Sequence, residues 1–209
     1  MSYKPRPQPS APAVQLPPRP LNPTGLKRLH RGWRRQTEGR VALILDGVQN
    51  PFNLGTIARH AAAYRVERAW LVGQPDAFDH PRVRKTAMGT ERLVAWEVVT
   101  TPAQALQAAR QAGFRPVGVE LTPTALPLFA MDLHDGIALV VGHEERGLSR
   151  AMLDACEAFT FAPQLGKVGS LNVAAATAIA LYEVRRQEWT NGPHDGETFD
   201  PEAAERPGP

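Results

Sequence analysis

Residues 41–46 read Val-Ala-Leu-Ile-Leu-Asp, and residues 137–141 read Ile-Ala-Leu-Val-Val. Each stretch is a short apolar run without alternation, which is typical of a strand buried on both faces of a parallel sheet. Helical patterns separate these runs from one another and from further candidate strands. Strands that alternate with helices predict an α/β domain, with a mainly parallel sheet and helices on both of its faces.

The remaining elements are predicted from the same two signals, short apolar runs for strands and helical spacing of apolar residues for helices. Further strands are expected at residues 68–72, 93–99, 116–120 and 158–161, and helices at residues 53–64, 102–112, 149–156 and 170–187. Ligands of such sheets bind beyond the carboxyl ends of the strands. The loops that follow these strands are therefore the places to look for a site.

Composition divides the chain into four segments. Residues 1–23 hold eight prolines and predict a disordered tail, because such a segment buries little apolar surface. Residues 24–40 place apolar residues at helical spacing among basic ones, which predicts a basic arm with a short helix. Residues 41–188 are expected to form the folded domain. Residues 189–209 are polar and acidic, and we expect a second disordered tail there.

The arm concentrates positive charge. Residues 1–40 carry nine Lys and Arg against one Glu, although the net charge of the whole chain is only +3. This asymmetry indicates a polyanionic partner such as nucleic acid. The residues expected to contact phosphates are Arg28, Arg31, Arg34 and Arg35.

Several classes of protein are excluded by composition. No apolar stretch approaches the roughly 20 residues that cross a bilayer, and the N-terminus lacks the apolar run of a secretory signal. A single cysteine, Cys156, excludes an internal disulfide framework and a cysteine-rich zinc site. A cytoplasmic protein without a membrane partner or a bound metal is the expectation.

The first motif spans residues 46–59. Asn50-Pro51 marks a turn, and Asn53 is a candidate cap for the helix that follows. Arg59 lies six residues into that helix among apolar and small neighbours, so it needs an anion from the protein or from a ligand. The alternative is an arginine that reaches past a core-facing helix into solvent.

The second motif, residues 142–147, reads Gly-His-Glu-Glu-Arg-Gly directly after a strand. Gly142 lets a ligand approach the backbone closely. The pair Glu144 and Glu145 could hold a metal, but such a pair is more often a solvated turn, and no second His or Cys completes a ligand set around His143. The motif matches neither a phosphate-binding loop nor a dinucleotide-binding one.

The third motif, residues 163–174, places two glycines before a helix whose expected first turn holds Ser170 and Asn172. Helix N-termini present free N–H groups to polar ligand atoms. Ser170 could equally be an ordinary helix cap. It does not lie in the Gly-x-Ser-x-Gly pattern of esterases.

Taken together, the three motifs resemble those of the SpoU/TrmH family of SPOUT-class RNA methyltransferases. The first motif corresponds to Asn-Leu-Gly at residues 53–55 with Arg59. The second corresponds to residues 142–147, and the third to Ser-Leu-Asn at residues 170–172. The motifs stand in the family's order, and the resemblance covers about residues 41–188.

Two positions depart from the family pattern. His143 stands where the family commonly has Asn, and Ala174 stands where a serine is common. Neither is a residue to which we assign chemistry. The resemblance implies an α/β fold whose C-terminal part forms a deep trefoil knot, which is a rare topology that the residue pattern alone does not suggest.

The resemblance also implies a cofactor and a reaction. The cofactor would be S-adenosylmethionine, and its methyl group would be transferred to a ribose 2′-hydroxyl of RNA. The positions carried over to cofactor binding are Glu120, Gly142, Ala162 and Leu171. Small or apolar side chains after strands leave room for a flat purine ring.

The catalytic positions carried over from the family are five. Arg59 is the residue credited with activating the hydroxyl, and Asn53 would shape the same pocket. Glu144 would fix the loop or the arginine, while Ser170 and Asn172 would position the ribose or the backbone around the cofactor.

Family members are usually homodimers, and the final helix with Ile179, Leu181 and Val184 offers part of an apolar interface. The alternative is that these three residues face the core. The expected RNA is tRNA or rRNA, with a slight preference for tRNA because the flanking segments are short. A catalytically silent RNA-binding or ribosome-assembly protein on the same scaffold is the competing hypothesis, and an ordinary nucleotide-binding domain is a weaker one.

Overall fold

A computed structural model describes residues 20–74, 76–134 and 136–191. The strands are β1 Val41–Asp46, β2 Arg68–Val72, β3 Ala95–Val99, β4 Arg115–Val119, β5 Leu126–Pro127, β6 Ile137–Gly142 and β7 Ala158–Phe161. The helices are α1 Pro23–Arg35, α2 Pro51–Ala63, α3 Pro81–Ala87, α4 Pro102–Gln111, α5 Arg150–Ala155 and α6 Val173–Asn191. Short 3₁₀ turns lie at Ala77–Asp79, Thr90–Leu93 and Leu128–Ala130.

The seven strands form one sheet in the order β3-β2-β1-β6-β4-β7-β5, and every pairing is parallel. The predicted α/β class and parallel sheet are confirmed. Sequence reasoning located every strand except β5, which has two residues. The expected trefoil knot stays a prediction.

Both faces of the sheet carry helices, as predicted. Successive side chains of a strand point to opposite faces. Leu43 and Leu45 of β1 belong to the core cluster that includes residues of α2 and α6. Ala42 and Ile44 belong to the cluster that includes residues of α4 and α5. Because β1 is fully buried on both sides, it reads as a continuous apolar run.

The parallel strands bring their carboxyl ends to one edge of the sheet. Asp46 at the end of β1 pairs in register with Gly142 at the end of β6. Glu120, just after β4, donates its backbone N–H to the Thr160 carbonyl of β7 at 2.9 Å. The loops that hold the three motifs therefore leave the sheet side by side.

Two helix starts differ from prediction. Asn50, and not Asn53, caps α2, since its side chain accepts from the Phe52 N–H at 2.9 Å. Proline at the next position is favourable there because its missing N–H is not needed in the first turn. At α6 the helix begins at Val173 with Asn172 before it, so Ser170 lies outside the helix and is not its cap.

The C-terminal helix extends further than predicted. α6 continues to Asn191, so residues 189–191, which were assigned to the acidic tail, are helical. Trp189 is held because its indole N–H donates to Thr37 Oγ1 at 2.9 Å and its ring meets Tyr182 edge-on. Residues 192–209 and 1–19 of the two predicted tails lie outside the described residues.

Helix α1 covers most of the stretch for which a basic helical arm is predicted. It belongs to a compact unit separate from the one that holds the sheet and the other helices. Arg31, Arg34 and Arg35 are exposed on it, and Arg28 is half-buried. Within the described ranges, none of the helices is long and apolar enough to cross a membrane.

Candidate active site

Glu144 connects the loop after β6 with the start of α2. Its carboxylate accepts hydrogen bonds from the backbone N–H of Gln49 at 3.2 Å and of Asn50 at 3.0 Å, and from the Asn53 amide at 3.0 Å. Burial by itself would raise the pKa of Glu144, but the hydrogen bonds from Asn53 and from backbone N–H groups outweigh burial and lower the pKa. The side chain is therefore a carboxylate at neutral pH, held as a fixed acceptor.

Asn53 extends this contact to the third motif. It lies in the first turn of α2, is only 4% exposed, and accepts from the Asn172 amide at 2.9 Å. Asn172 in turn accepts from the N–H groups of Ala174 and Ala175 at 2.9 and 3.2 Å, which caps α6. One line of hydrogen bonds thus joins all three motifs.

Only one orientation of the two side-chain amides gives every donor along this line an acceptor. A carboxylate can only accept, so Asn53 must present its NH₂ group to Glu144 and its oxygen to Asn172. Asn172 must then present its NH₂ group to Asn53 and its oxygen to α6. The line therefore requires a carboxylate at Glu144 and a side-chain amide at both Asn53 and Asn172. The structure brings these three predicted residues together.

Arg59 lies on α2 and is exposed. Its Nη1 donates to the Met88 sulfur at 3.2 Å, and a thioether is a weak acceptor. In the part of the chain that the structure describes, no carboxylate pairs with this guanidinium. The predicted need for an anion is not met from within the described protein, so the charge is available to a ligand.

The loop between β6 and α5 closes on itself. His143 and Gly147 exchange backbone hydrogen bonds at 3.0 and 2.9 Å. A Cβ at Gly142 would overlap the backbone of Gly147, so close packing of the loop requires glycine there. Glu120 supports the loop from β4, because its carboxylate accepts from the Leu148 N–H at 3.1 Å.

A cleft of about 510 Å³ lies beside the third motif. Two of the residues predicted to bind a cofactor, Ala162 and Leu171, line it together with Leu128, Ile179, residues 163–166 and Val168. The other two, Glu120 and Gly142, lie at neighbouring strand ends and do not line this cleft. Ser170 is exposed in the loop before α6 and makes no hydrogen bond to the described residues.

Sequence reasoning missed two residues that hold the site in place. Asp46 at the end of β1 is buried and accepts from the Ser149 N–H at 2.7 Å, which ties β1 to the start of α5. Asn50 caps α2 in the same loop that Glu144 binds. The signal for Asn50 was present, since Asn directly before Pro is a typical helix start. Among residues 20–74, 76–134 and 136–191, no group of three His, Cys, Asp or Glu could hold a metal ion.

Comparison with known proteins places this geometry in a family. The family model described as the SpoU rRNA Methylase family matches residues 40–182. The 23S rRNA (guanosine-2′-O-)-methyltransferase RlmB of Xanthomonas axonopodis pv. citri is 35% identical over 147 residues, which cover 70% of this chain and 59% of that protein.

Solved structures agree with the fold. The AdoMet-bound rRNA methyltransferase of Sinorhizobium meliloti aligns with a TM-score of 0.66 and 31% identity, over 73% of this chain and 58% of that one. The A. aeolicus TrmH/SpoU tRNA modifying enzyme aligns with a TM-score of 0.66 and 29% identity, over 80% and 86% of the two chains.

The chain spans about 59% of the length of the curated relatives that it matches. The match to the family model, in contrast, extends over well more than half of the chain and includes all three motifs. The resemblance that the motifs indicated is thereby confirmed, and the chain belongs to the SpoU rRNA methylase family.

Proposed function

We propose that this protein transfers a methyl group from S-adenosylmethionine to a ribose 2′-hydroxyl of a structured RNA. The observation that carries the proposal is the hydrogen-bonded line from Glu144 through Asn53 to Asn172, which fixes the three family motifs around one end of the sheet. Arg59, which no described carboxylate pairs with, lies on α2, the same helix that holds Asn53 in its first turn.

The residues around the cleft fit the proposed cofactor. Ala162 and Leu171 offer an apolar surface to an adenine ring, while Gly142 at the end of β6 and Glu120 just after β4 lie outside the cleft itself. Cavities of roughly 300 to 1,000 Å³ hold small-molecule ligands, and this cleft lies in that range. When bound, S-adenosylmethionine supplies an electrophilic methyl group, and the protein supplies orientation and electrostatics.

Arg59 acts through its charge in this proposal. A guanidinium stays protonated in proteins, so Arg59 cannot take the proton of the attacking hydroxyl. It binds the phosphate next to the target ribose, which accepts the hydroxyl proton, and it stabilises the negative charge that develops on the attacking oxygen as the bond from the methyl carbon to the sulfonium breaks. Asn53, Glu144 and Asn172 are positioning residues for α2 and for the start of α6, and Ser170 contacts the ribose.

The RNA is bound in part by the basic arm. Arg31, Arg34 and Arg35 are exposed on α1 and, with Arg28, contact phosphates. Replacing all four by alanine is expected to weaken RNA binding and to flatten its salt dependence. Unchanged affinity at physiological salt would contradict a role for the arm. Residues 37–39 are left intact in this variant because α6 holds them.

We also propose a homodimer that acts in the cytoplasm. Leu181 and Val184 are buried, so the alternative that they face the core is correct for both. Ile179 is 43% exposed, and Tyr182 and Val168 are exposed near it at the cleft. A second copy that covers this apolar rim would complete the site. Light scattering of the purified protein tests the dimer, and a monomer at all concentrations contradicts it.

The enzymatic experiment uses labelled S-adenosylmethionine with two RNA pools, total tRNA and rRNA, from a methylase-deficient strain. Label in alkali-resistant dinucleotides is expected, because a 2′-O-methyl group blocks cleavage at the next phosphate. Which of the two pools becomes labelled tests the slight preference for tRNA over rRNA as the substrate. Cofactor binding without label in either pool would favour the silent RNA-binding scaffold, and no cofactor binding would contradict the proposal.

A further inference from the structure

Helix α3 presents a charged face beside Arg59. Val83 and Ala87 are buried toward α2, whereas Arg82 and Lys85 are exposed. Residues three apart on a helix are surface neighbours, with Cβ atoms roughly 5 to 6 Å apart. Met88 follows Lys85 by three more residues, and its sulfur accepts the hydrogen bond from Arg59.

The charges on this face are not neutralised by the protein. Arg84, on the same helix, forms an ion pair with Asp79 at 2.5 Å and donates to the Phe78 carbonyl. Within the described ranges, the side chains of Arg82 and Lys85 have no ion-pair partner. Together with Arg59 they place three unneutralised cations on two packed helices.

The close packing of α2 and α3 makes this face a fixed extension of the site. A Cβ at Gly55 would lie 2.7 Å from the Val83 carbonyl oxygen and from the Thr86 side chain. Glycine at that position therefore lets the two helices approach closely. Met88, which is 68% exposed at the C-terminal end of α3, adds an apolar surface that contacts Arg59.

We propose that the exposed face of α3, with Arg82 and Lys85, binds the phosphate backbone of the RNA next to the nucleotide that Arg59 engages. This inference rests on the proposed function, which makes RNA the substrate, but it assigns a surface distinct from the basic arm. Phosphate contacts position an RNA without reading its sequence, and their strength depends steeply on salt. The face sets where the strand lies on the enzyme.

The experiment compares the full-length protein with the variant Arg82→Ala/Lys85→Ala. The probe is total tRNA, because phosphate contacts do not require the cognate sequence. Binding is measured between 50 and 200 mM salt by fluorescence anisotropy. We expect Kd to rise about 10-fold at low salt and the slope of log K against log salt to fall by about 2, one for each lost phosphate contact.

The matched control is Arg150→Ala. Arg150 is also exposed on a helix, but its guanidinium already pairs with Asp154, and α5 packs on the other face of the sheet. Its Kd and salt slope are expected to stay within about 2-fold of the wild type. The charge-conserving variant Arg82→Lys/Lys85→Arg is expected to keep most of the affinity, and a thermal melt of each variant confirms that it folds.

The result that overturns the inference is a double alanine variant with wild-type Kd and wild-type salt slope. A methyl-transfer assay separates this failure from that of the proposed function. If the wild type transfers methyl groups and the variant does so with the same KM, the surface is wrong and the function stands. If the wild type transfers none while the variant loses tRNA binding, the surface stands and the function is wrong.

Discussion

Glu144 contributes to stability only while it is ionised. Because its folded pKa lies below that of the unfolded chain, its contribution to the free energy of unfolding is complete above the unfolded pKa, about 4.5. The contribution declines as the pH falls through the folded pKa. We expect Glu144→Gln to lose about 1 to 3 kcal/mol at pH 7, and this difference from the wild type to shrink in acid.

Urea unfolding of both proteins at pH 7 and at pH 3 measures this difference. Glu145→Gln is the control, since Glu145 is the exposed neighbour of Glu144 and its carboxylate accepts no hydrogen bond from the described residues. Its free energy of unfolding is expected to match the wild type at both pH values. If Glu144→Gln loses the same free energy of unfolding at both pH values, the loss comes from altered side-chain geometry and not from the lost charge.

Arg59 offers a test of geometry as opposed to charge. Lysine keeps the charge but lacks the planar fork that binds a phosphate through two parallel hydrogen bonds. We expect Arg59→Lys to lower kcat/KM for RNA methylation about 100-fold while the affinity for S-adenosylmethionine stays unchanged. Near-normal activity would show that a positive charge alone suffices at this position.

The types of the site residues were visible in the sequence, but their partners were not. Asn53 and Glu144 are 91 residues apart, and Asn53 and Asn172 are 119 residues apart. No local pattern states which amide meets which carboxylate, because the fold alone brings them together. The resemblance of the motifs predicted that these three residues share a site. Their order in the line of hydrogen bonds follows from which groups can donate and which can accept.

At the scale of elements, the contact between α2 and α3 is decided at Gly55. Alanine there favours the helix by about 1 kcal/mol, but its Cβ meets the backbone of α3 at 2.7 Å, and we expect an overpacking cost of about 2 to 3 kcal/mol. Gly55→Ala is therefore expected to lower Tm and to reduce methylation, because α3 and Met88 must shift away from Arg59.

Gly32→Ala is the control for this substitution. Gly32 also lies in a helix, but a Cβ there meets nothing within 4 Å among the described residues. This change is expected to leave Tm unchanged or to raise it slightly, since it adds helix propensity without a clash. A fall in Tm as large as that of Gly55→Ala would mean that backbone flexibility, and not helix spacing, causes the loss.

Apolar runs and alanine-rich patterns predicted most of the helices and strands, because buried positions require apolar or small side chains. The errors fall where polar side chains compete for helix ends: Asn50 caps α2 in place of Asn53, and Asn172 in place of Ser170 precedes α6. Helix α3 was missed because seven residues with three cations give little periodicity. Its role depends on α2, which local sequence does not show.

At the scale of the whole molecule, the order of strands could not be derived from the sequence. β4 lies between β6 and β7, so its neighbours in the sheet are not its neighbours along the chain. The central strands β1 and β6 are buried along their whole length on both faces, so the apolar pattern of either would fit several positions in the sheet. The register of strand ends, which places Asp46 beside Gly142 and so sets the site, follows only from the folded sheet.

Arg185, in the C-terminal half of α6, connects segments that are distant along the chain. It is only 2% exposed, and it donates to the carbonyl oxygens of Gly39, Tyr64 and Arg65 at 2.7 to 2.9 Å and to Glu188 at 2.8 Å. Arg185→Met leaves three backbone carbonyls and one carboxylate without this buried donor. We expect a loss of about 3 to 5 kcal/mol in the free energy of unfolding, measured by urea titration.

The adjacent Arg186 supplies the matched control. It too pairs with a glutamate on α6, Glu183, but its own side chain is 40% exposed, and without it Glu183 still accepts from the Gln187 amide at 2.9 Å. Arg186→Met is expected to lose less than about 1 kcal/mol. Since Arg185 secures the segment that leads into β1, its loss is also expected to raise protease cleavage near residue 39, whereas Arg186→Met leaves cleavage unchanged. Equal losses in the two variants would mean that helix charge, and not the buried link between distant segments, stabilises α6.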